Sequence, residues 1–129
     1  MTASPAARAG AVLEIDLGAI IANWRLLAAR AAPAQCAAVV KANAYGLGAA
    51  PVCRALAAAG CRLFFVATLD EGITLRRALG GAAQIAVLNG PLPGTAGEFV
   101  EHGLIPVLNE PGQIAQWADK PSPAPRERG

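Results

Sequence analysis

Residues 39–48 decide the fold of this chain; they read Val-Val-Lys-Ala-Asn-Ala-Tyr-Gly-Leu-Gly. The apolar residues that lead into this stretch predict a buried strand, and Lys41 stands at its end. Small residues, two glycines and then a helical pattern follow the lysine. An α/β barrel presents its reactive groups in this way, because its active site lies at the C-terminal ends of the strands.

The same order of strand and helix repeats along the chain. Strands are predicted at 35–41, 62–68, 84–89 and 104–109, and helices at 48–59, 69–79, 95–102 and from Pro111 onward. A half-exposed strand over 12–17 and a helix with Asp16 as its N-cap are predicted before this series. The pattern indicates parallel βα repetition, and periodicity alone leaves a doubly wound sheet and a barrel equally open.

The composition excludes several classes of protein. With 54% hydrophobic and 16% charged residues, the chain is too apolar to be disordered, and strands buried on both faces are expected. A net charge of +2 gives no reason to expect nucleic acid or an anionic membrane as a partner. No apolar run approaches the ~20 residues that a membrane-spanning helix needs.

The cysteines point to a reducing compartment. Cys36, Cys53 and Cys61 fit neither a disulfide framework nor a zinc site. His102 is the only histidine and is predicted to end a helix, so we expect no metal site. Free thiols in apolar segments are typical of a cytoplasmic protein, which is the location we expect.

The chain divides into three parts by composition. Residues 1–11 are predicted to be a disordered leader, and residues 12–119 hold the strand and helix patterns. Residues 120–129 contain three prolines and no apolar periodicity, which predicts a disordered tail or a break in the reading frame after Asp119; we favour the break. A complete (β/α)8 barrel takes about 250 residues, so 129 residues can form only part of one.

Lys41 is the main candidate for chemistry. A lysine at a strand end is ordinarily a solvated charge, but the alanines and glycines after Lys41 leave space beside it. A lysine amine in an apolar site can attack a carbonyl group, either of a cofactor such as pyridoxal 5′-phosphate (PLP) or of a substrate. Tyr45 could hydrogen-bond a phosphate or cap the edge of the core. Gly46 and Gly48 precede a helix N-terminus, where free amides attract anions.

Two adjacent carboxylates, Asp70 and Glu71, lie in the first turn of a predicted helix, where their charges complement the helix dipole. Adjacent residues on a helix point away from each other, so paired-carboxylate catalysis is not expected. The sequence also contains neither a phosphate-binding P-loop nor a dinucleotide-binding motif.

Residues 39–48 closely resemble the cofactor-lysine motif of the alanine racemase family. The resemblance continues in order from about residue 11 to 119. The other matching stretches are 14–17 with Asn23, 65–72, 87–90 and 104–109. The resemblance implies a partial (β/α)8 TIM barrel, made of the first four βα units and preceded by an N-terminal strand and helix.

The resemblance also implies a function. Lys41 would hold PLP as a Schiff base and act as one of two acid/base groups, Tyr45 would contact the cofactor phosphate, and Leu88 would flank the ring. The family interconverts L- and D-alanine as a homodimer and supplies D-alanine for peptidoglycan. Its second acid/base group is a tyrosine in the C-terminal half, and no residue here matches it. We therefore expect a truncated fragment that is inactive alone.

Two alternatives remain open. The chain could be a non-catalytic PLP-binding module, or a fragment of a related PLP-barrel decarboxylase. The continuation at Tyr45 and Gly46 and the residues 68–71 favour the racemase. In each case four βα units leave open strand edges, so we expect a chain that is poorly stable or that self-associates.

Overall fold

Four strands in the described part of the chain form one parallel sheet in chain order, β1-β2-β3-β4. The computed structural model describes residues 1–125. The elements are α1 (Leu17–Ala31), β1 (Ala38–Val39), α2 (Lys41–Tyr45), α3 (Ala49–Ala58), β2 (Leu63–Val66), α4 (Leu69–Leu79), β3 (Gln84–Val87), α5 (Ala96–Glu101), β4 (Ile105–Pro106) and α6 (Pro111–Ala118), after a 3-10 turn at Ala6–Arg8. The predicted α/β fold with parallel βα units is confirmed.

The two faces of the sheet differ in burial. The side chains of Phe64, Val66, Ile85 and Val87 are buried in the core between the sheet and its helices. The opposite face, which we call the inner face, contains the register row Val39, Phe65, Ala86 and Ile105. At the two ends of that row, Val39 is 47% exposed and Ile105 is 43% exposed. The main core therefore lies on one side of the sheet, and within the inner-face row Ala86 alone is buried.

The predicted strand over 12–17 is wrong. Residues 9–16 contain no strand, and Leu17 already belongs to α1. Val12 is 64% exposed and Leu13 is 75% exposed. A strand needs a neighbour for its backbone N–H and C=O groups, and the sheet of the described chain begins at β1. The predicted N-cap of α1 is confirmed, because the Asp16 carboxylate accepts a hydrogen bond from the Ala19 N–H at 3.0 Å.

The outer strands are shorter than predicted, with two residues each in β1 and β4. The predicted helix over 69–79 is confirmed at both ends. Within residues 1–125, no helix is both long and apolar enough to cross a membrane. The leader and tail boundaries stay predictions, and the last part of the predicted tail, 126–129, lies outside the described residues.

Gly72 allows α4 to pack closely on the sheet. A Cβ atom at this position would lie 3.0 Å from Leu104 Cδ1 and 3.2 Å from Val87 Cγ2. A side chain at this position would therefore require both neighbours to shift by a few tenths of an ångström. Gly72 is buried, and without a side chain it lets the first turn of α4 lie close to the sheet.

Arg76 of α4 joins two loops at the N-terminal end of the strands. Its guanidinium donates to the carbonyl oxygens of Gly80 at 2.9 Å, Ala83 at 2.6 Å, His102 at 2.9 Å and Gly103 at 2.8 Å. The first two acceptors precede β3 and the last two precede β4. One cation thus holds both connections in place.

We predict that Arg76→Ala lowers the free energy of unfolding by about 1.5–3 kcal/mol, because hydrogen bonds to a charged group contribute on that scale and the carbonyl oxygens lose their donor. Arg77→Ala is the matched control, since the neighbouring Arg77 side chain is exposed. Urea unfolding followed by circular dichroism measures both. Equal midpoints for the two variants would contradict the assignment.

Two of the three cysteines are buried free thiols and the third, Cys36, is half-buried. Burial, with a smaller contribution from the nearby Cys61, raises the pKa of Cys53 from 9.0 to about 12. Burial also raises the pKa of Cys61. The folded chain therefore keeps the thiol protons of Cys53 and Cys61 at pH values at which the unfolded chain loses them.

We predict that stability falls as pH rises above 9.0, since the unfolded state binds fewer protons there; Cys53 alone contributes up to ~1.4 kcal/mol per pH unit. Cys53→Ala should lose less stability than the parent chain between pH 9.0 and about 11, in urea unfolding under reducing conditions. Parallel curves for the parent and Cys53→Ala would refute the cause given.

The exposed inner face leads to a prediction about association. Ile105→Asp should reduce self-association of the chain in light scattering after gel filtration, because a charge on an open apolar face opposes its burial. Leu92→Asp is the control, since Leu92 is 66% exposed in a loop. A parent chain that is monodisperse and monomeric, and that melts cooperatively, would show that the face does not drive association.

Candidate active site

Lys41 lies two residues after the last residue of β1, at the C-terminal end of the sheet. The preceding residue, Val40, is buried and still pairs with β2, since its N–H donates to the Phe65 carbonyl at 2.8 Å. Lys41 itself is half-buried. The predicted placement of the lysine at the end of a strand is therefore found, but the strand is buried only in part, since Val40 is buried and Val39 is exposed.

A left-handed turn follows the lysine. Ala42, Asn43, Ala44 and Tyr45 have φ values of 51°, 53°, 54° and 56°, and Gly46 continues at 87°. Each non-glycine residue in this conformation costs roughly 1–2 kcal/mol relative to a right-handed one. Such backbone persists only where its surroundings hold it, and it is concentrated at functional sites.

Hydrogen bonds within the segment stabilise the turn. The N–H of Ala44 donates to Val40 at 3.0 Å, that of Gly46 to Ala42 at 3.0 Å and that of Gly48 to Asn43 at 2.9 Å, each to a carbonyl oxygen. The Asn43 side chain accepts from the Ala49 N–H at 2.8 Å. Because Ala49 is the first residue of α3, this contact fixes the turn to the helix that follows.

Glu71 of α4 contacts the turn from the neighbouring βα unit. The Ala42 N–H donates to Glu71 Oε2 at 3.0 Å, and the Thr68 hydroxyl donates to Glu71 Oε1 at 3.4 Å. The sequence pattern predicted that Glu71 complements the helix dipole and gave no sign of this contact. The spacing Thr68-x-x-Glu71 is a capping-box signal, but it predicts a contact within α4 and gives no indication of Ala42.

Tyr45 ends the turn with its side chain 63% exposed. It borders a cavity of about 290 Å³ between α1, β1 and α3, while a second cavity of about 330 Å³ lies between α3 and α4. Lys41 lines neither cavity. The roles of Lys41, Tyr45 and Leu88, which the family resemblance implies, stay predictions.

Leu88 continues β3 past its last residue, because its N–H donates to the Val66 carbonyl at 2.8 Å. We call the loops at the C-terminal end of the sheet the rim. Near Leu88 the rim is held by two side chains that the sequence patterns did not indicate. Asn109 donates to the Leu88 carbonyl at 2.9 Å, and Gln113 donates to the Asn89 carbonyl at 2.8 Å. Gln113 also accepts from the Asn109 N–H at 2.8 Å. These contacts fix the backbone on which Leu88 lies.

Residues 15–127 match the model of the alanine racemase N-terminal domain. The chain belongs to this family. The resemblance found in the sequence is therefore confirmed over almost the same residues. The partial TIM-barrel fold is also confirmed, because the parallel sheet described above superposes on solved alanine racemases.

The relatives are longer than this chain. A catabolic alanine racemase of Mesorhizobium japonicum is 54% identical over 111 residues, which are 86% of this chain and 29% of the relative. An alanine racemase of Rhodospirillum rubrum is 54% identical over 112 residues, covering 86% of this chain and 30% of the relative. The chain spans less than a third of the length of these relatives.

Solved structures give the same result. Alanine racemase from Bartonella henselae, solved with covalently bound pyridoxal phosphate, matches with a TM-score of 0.77 and 48% identity over 80% of this chain and 29% of that one. Alanine racemase from E. faecalis matches with a TM-score of 0.73 and 30% identity, over 81% of this chain and 28% of that one. The sequence identity and the structural superposition therefore indicate the same family.

Proposed function

We propose that this chain is the lysine-bearing N-terminal part of an alanine racemase, which holds PLP covalently on Lys41. The observation that carries the proposal is the half-buried Lys41 at the C-terminal end of β1, within a chain of this family. The covalently bound pyridoxal phosphate of the Bartonella henselae enzyme supports it. The residues present fit such a group, because Lys41 offers a half-buried primary amine and Tyr45 an exposed phenol.

The side chains of this chain would divide the work. Lys41 would hold the cofactor and move a proton to or from the substrate Cα, Tyr45 would donate a hydrogen bond to the cofactor phosphate, and Leu88 would border the ring. When bound, PLP withdraws electrons from the substrate Cα and so acidifies its proton. The rim contacts of Asn109 and Glu71 would keep these groups in place.

Complete racemisation is proposed for the longer protein. A proton must leave one face of the substrate Cα and return on the other, so two acid/base groups are needed. We assign one to Lys41 and the other to the part of the family that lies beyond the segment matched here, within a homodimer. We further propose alanine as the substrate, the cytoplasm as the location and supply of D-alanine for peptidoglycan as the role.

Reductive trapping tests the cofactor role of Lys41. The chain has two lysines, Lys41 and Lys120. Incubation with PLP, reduction with borohydride and peptide mapping should place about one label per chain on Lys41. Lys120→Ala should keep this label and Lys41→Ala should lose it. Lys120 is the comparison lysine, because its Nζ lies away from the candidate site, 4.8 Å from the centroid of the Trp117 ring. Label on Lys120 or on the N-terminal amine in place of Lys41 would refute the proposal.

A PLP-binding module without racemisation is the second candidate, and the chain's coverage of only 29% of its relatives favours it for the chain alone. Mixing the PLP-loaded chain, without borohydride reduction, with the complementary C-terminal segment of a relative separates the two. Appearance of D-alanine from L-alanine supports the racemase. Binding without turnover supports the module, and loss of carbon dioxide from an amino acid would instead indicate a decarboxylase.

A further inference from the structure

We propose that Glu71 is the positioning residue for Lys41: its carboxylate holds the left-handed turn that fixes the lysine at the end of β1. The proposal deepens the proposed function and rests on it for the role of Lys41. Its starting point is the hydrogen bond from the Ala42 N–H to Glu71 Oε2 at 3.0 Å, which joins residues 29 positions apart in the sequence. Ala42 is the residue directly after Lys41.

The Glu71–Ala42 contact takes the place of a capping-box hydrogen bond that Glu71 could make within α4. In a capping box the N3 glutamate accepts a hydrogen bond from the N–H of the N-cap residue. Here Thr68 performs its part, since its hydroxyl oxygen accepts from the Glu71 N–H at 3.3 Å. The Glu71 carboxylate instead reaches Ala42 with one oxygen and the Thr68 hydroxyl with the other. The Thr68 hydroxyl thus orients a carboxylate that serves the neighbouring loop.

The support matters because the turn borders a cavity. A cavity of about 330 Å³ lies between α3 and α4, and Val40, Asn43, Glu71 and Thr74 are among the residues that line it. Empty space next to a segment provides no contact atoms that could oppose movement of the backbone. The Glu71 hydrogen bond therefore adds a direct contact from α4 to the first left-handed residue.

The position of Ala42 makes the link effective. Ala42 begins the run of positive φ values, so its N–H orientation sets the direction in which the turn leaves Lys41. A hydrogen bond to a carboxylate is stronger than one to a neutral acceptor. Removal of the carboxylate leaves the Ala42 N–H to water and favours relaxation of the strained residues. The backbone that carries the Lys41 side chain is then no longer held in place, so the position of the amine is less well defined.

Amide hydrogen exchange on the full chain tests the link without any cofactor. Glu71→Ala should accelerate exchange of the Ala42 amide at least about ten-fold, which corresponds to loss of one charged hydrogen bond. Glu71→Gln should give an intermediate rate, because its amide oxygen can still accept. Asp70→Ala is the matched control, since Asp70 is the exposed carboxylate next to Glu71 in the first turn of α4 and is not an acceptor for Ala42. Equal exchange in the Glu71→Ala and Asp70→Ala variants would overturn the proposal.

Cofactor binding then tests the consequence for Lys41. Titration with PLP, followed by the visible absorption of the lysine-bound cofactor, should show binding to Glu71→Ala at least about ten-fold weaker than to Asp70→Ala, with Glu71→Gln between them. Urea midpoints measured alongside exclude unfolding as the cause. Failure of the parent chain to take PLP on Lys41 would refute the proposed function alone, because the exchange result stands independently. Accelerated exchange with unchanged PLP affinity would overturn the positioning role.

Discussion

The left-handed turn after Lys41 is the constraint on which the candidate site depends. Four consecutive non-glycine residues at roughly 1–2 kcal/mol each are a large local cost for a small chain. Their identities limit that cost, since Ala carries the smallest Cβ substituent and Asn43 tolerates this conformation through its short polar side chain. Burial of Ala44, the Asn43–Ala49 contact and the Glu71–Ala42 contact offset the remainder. These contacts hold Lys41 in position despite the cost of the left-handed backbone that follows it.

The sheet imposes a second constraint. Its outer face is covered by α3, α4 and α5 and contains the buried aromatic and branched side chains of the core. Its inner face exposes Val39 and Ile105 at the two edges. In a closed barrel, layers of side chains from strands around the whole circumference fill that interior. Val39 and Ile105 are thus exposed on the face that faces the interior in a closed barrel.

The sequence predicted the elements whose signals are local. The pattern over 69–79 has a threonine N-cap, acidic first turn, basic last turn and glycine stop, and α4 has these bounds. The strand over 12–17 was wrong, because alternation reports a half-apolar segment and cannot show whether a partner strand exists. Lys41 was identified from residues that flank it. The left-handed turn and the Glu71 contact were not, because Ala and Asn do not require positive φ and a contact across 29 residues has no local signature.

Neighbouring βα units, rather than single units, determine the geometry of the rim. Glu71 of α4 reaches back to the loop after β1, and Asn109 after β4 reaches back to the end of β3. Arg76 does the same at the opposite end of the strands, where it joins the loops before β3 and β4. In each case a polar side chain satisfies backbone groups that an irregular connection leaves unpaired. A strand that ends in lysine supplies the amine, but its position comes from the helix of the next unit.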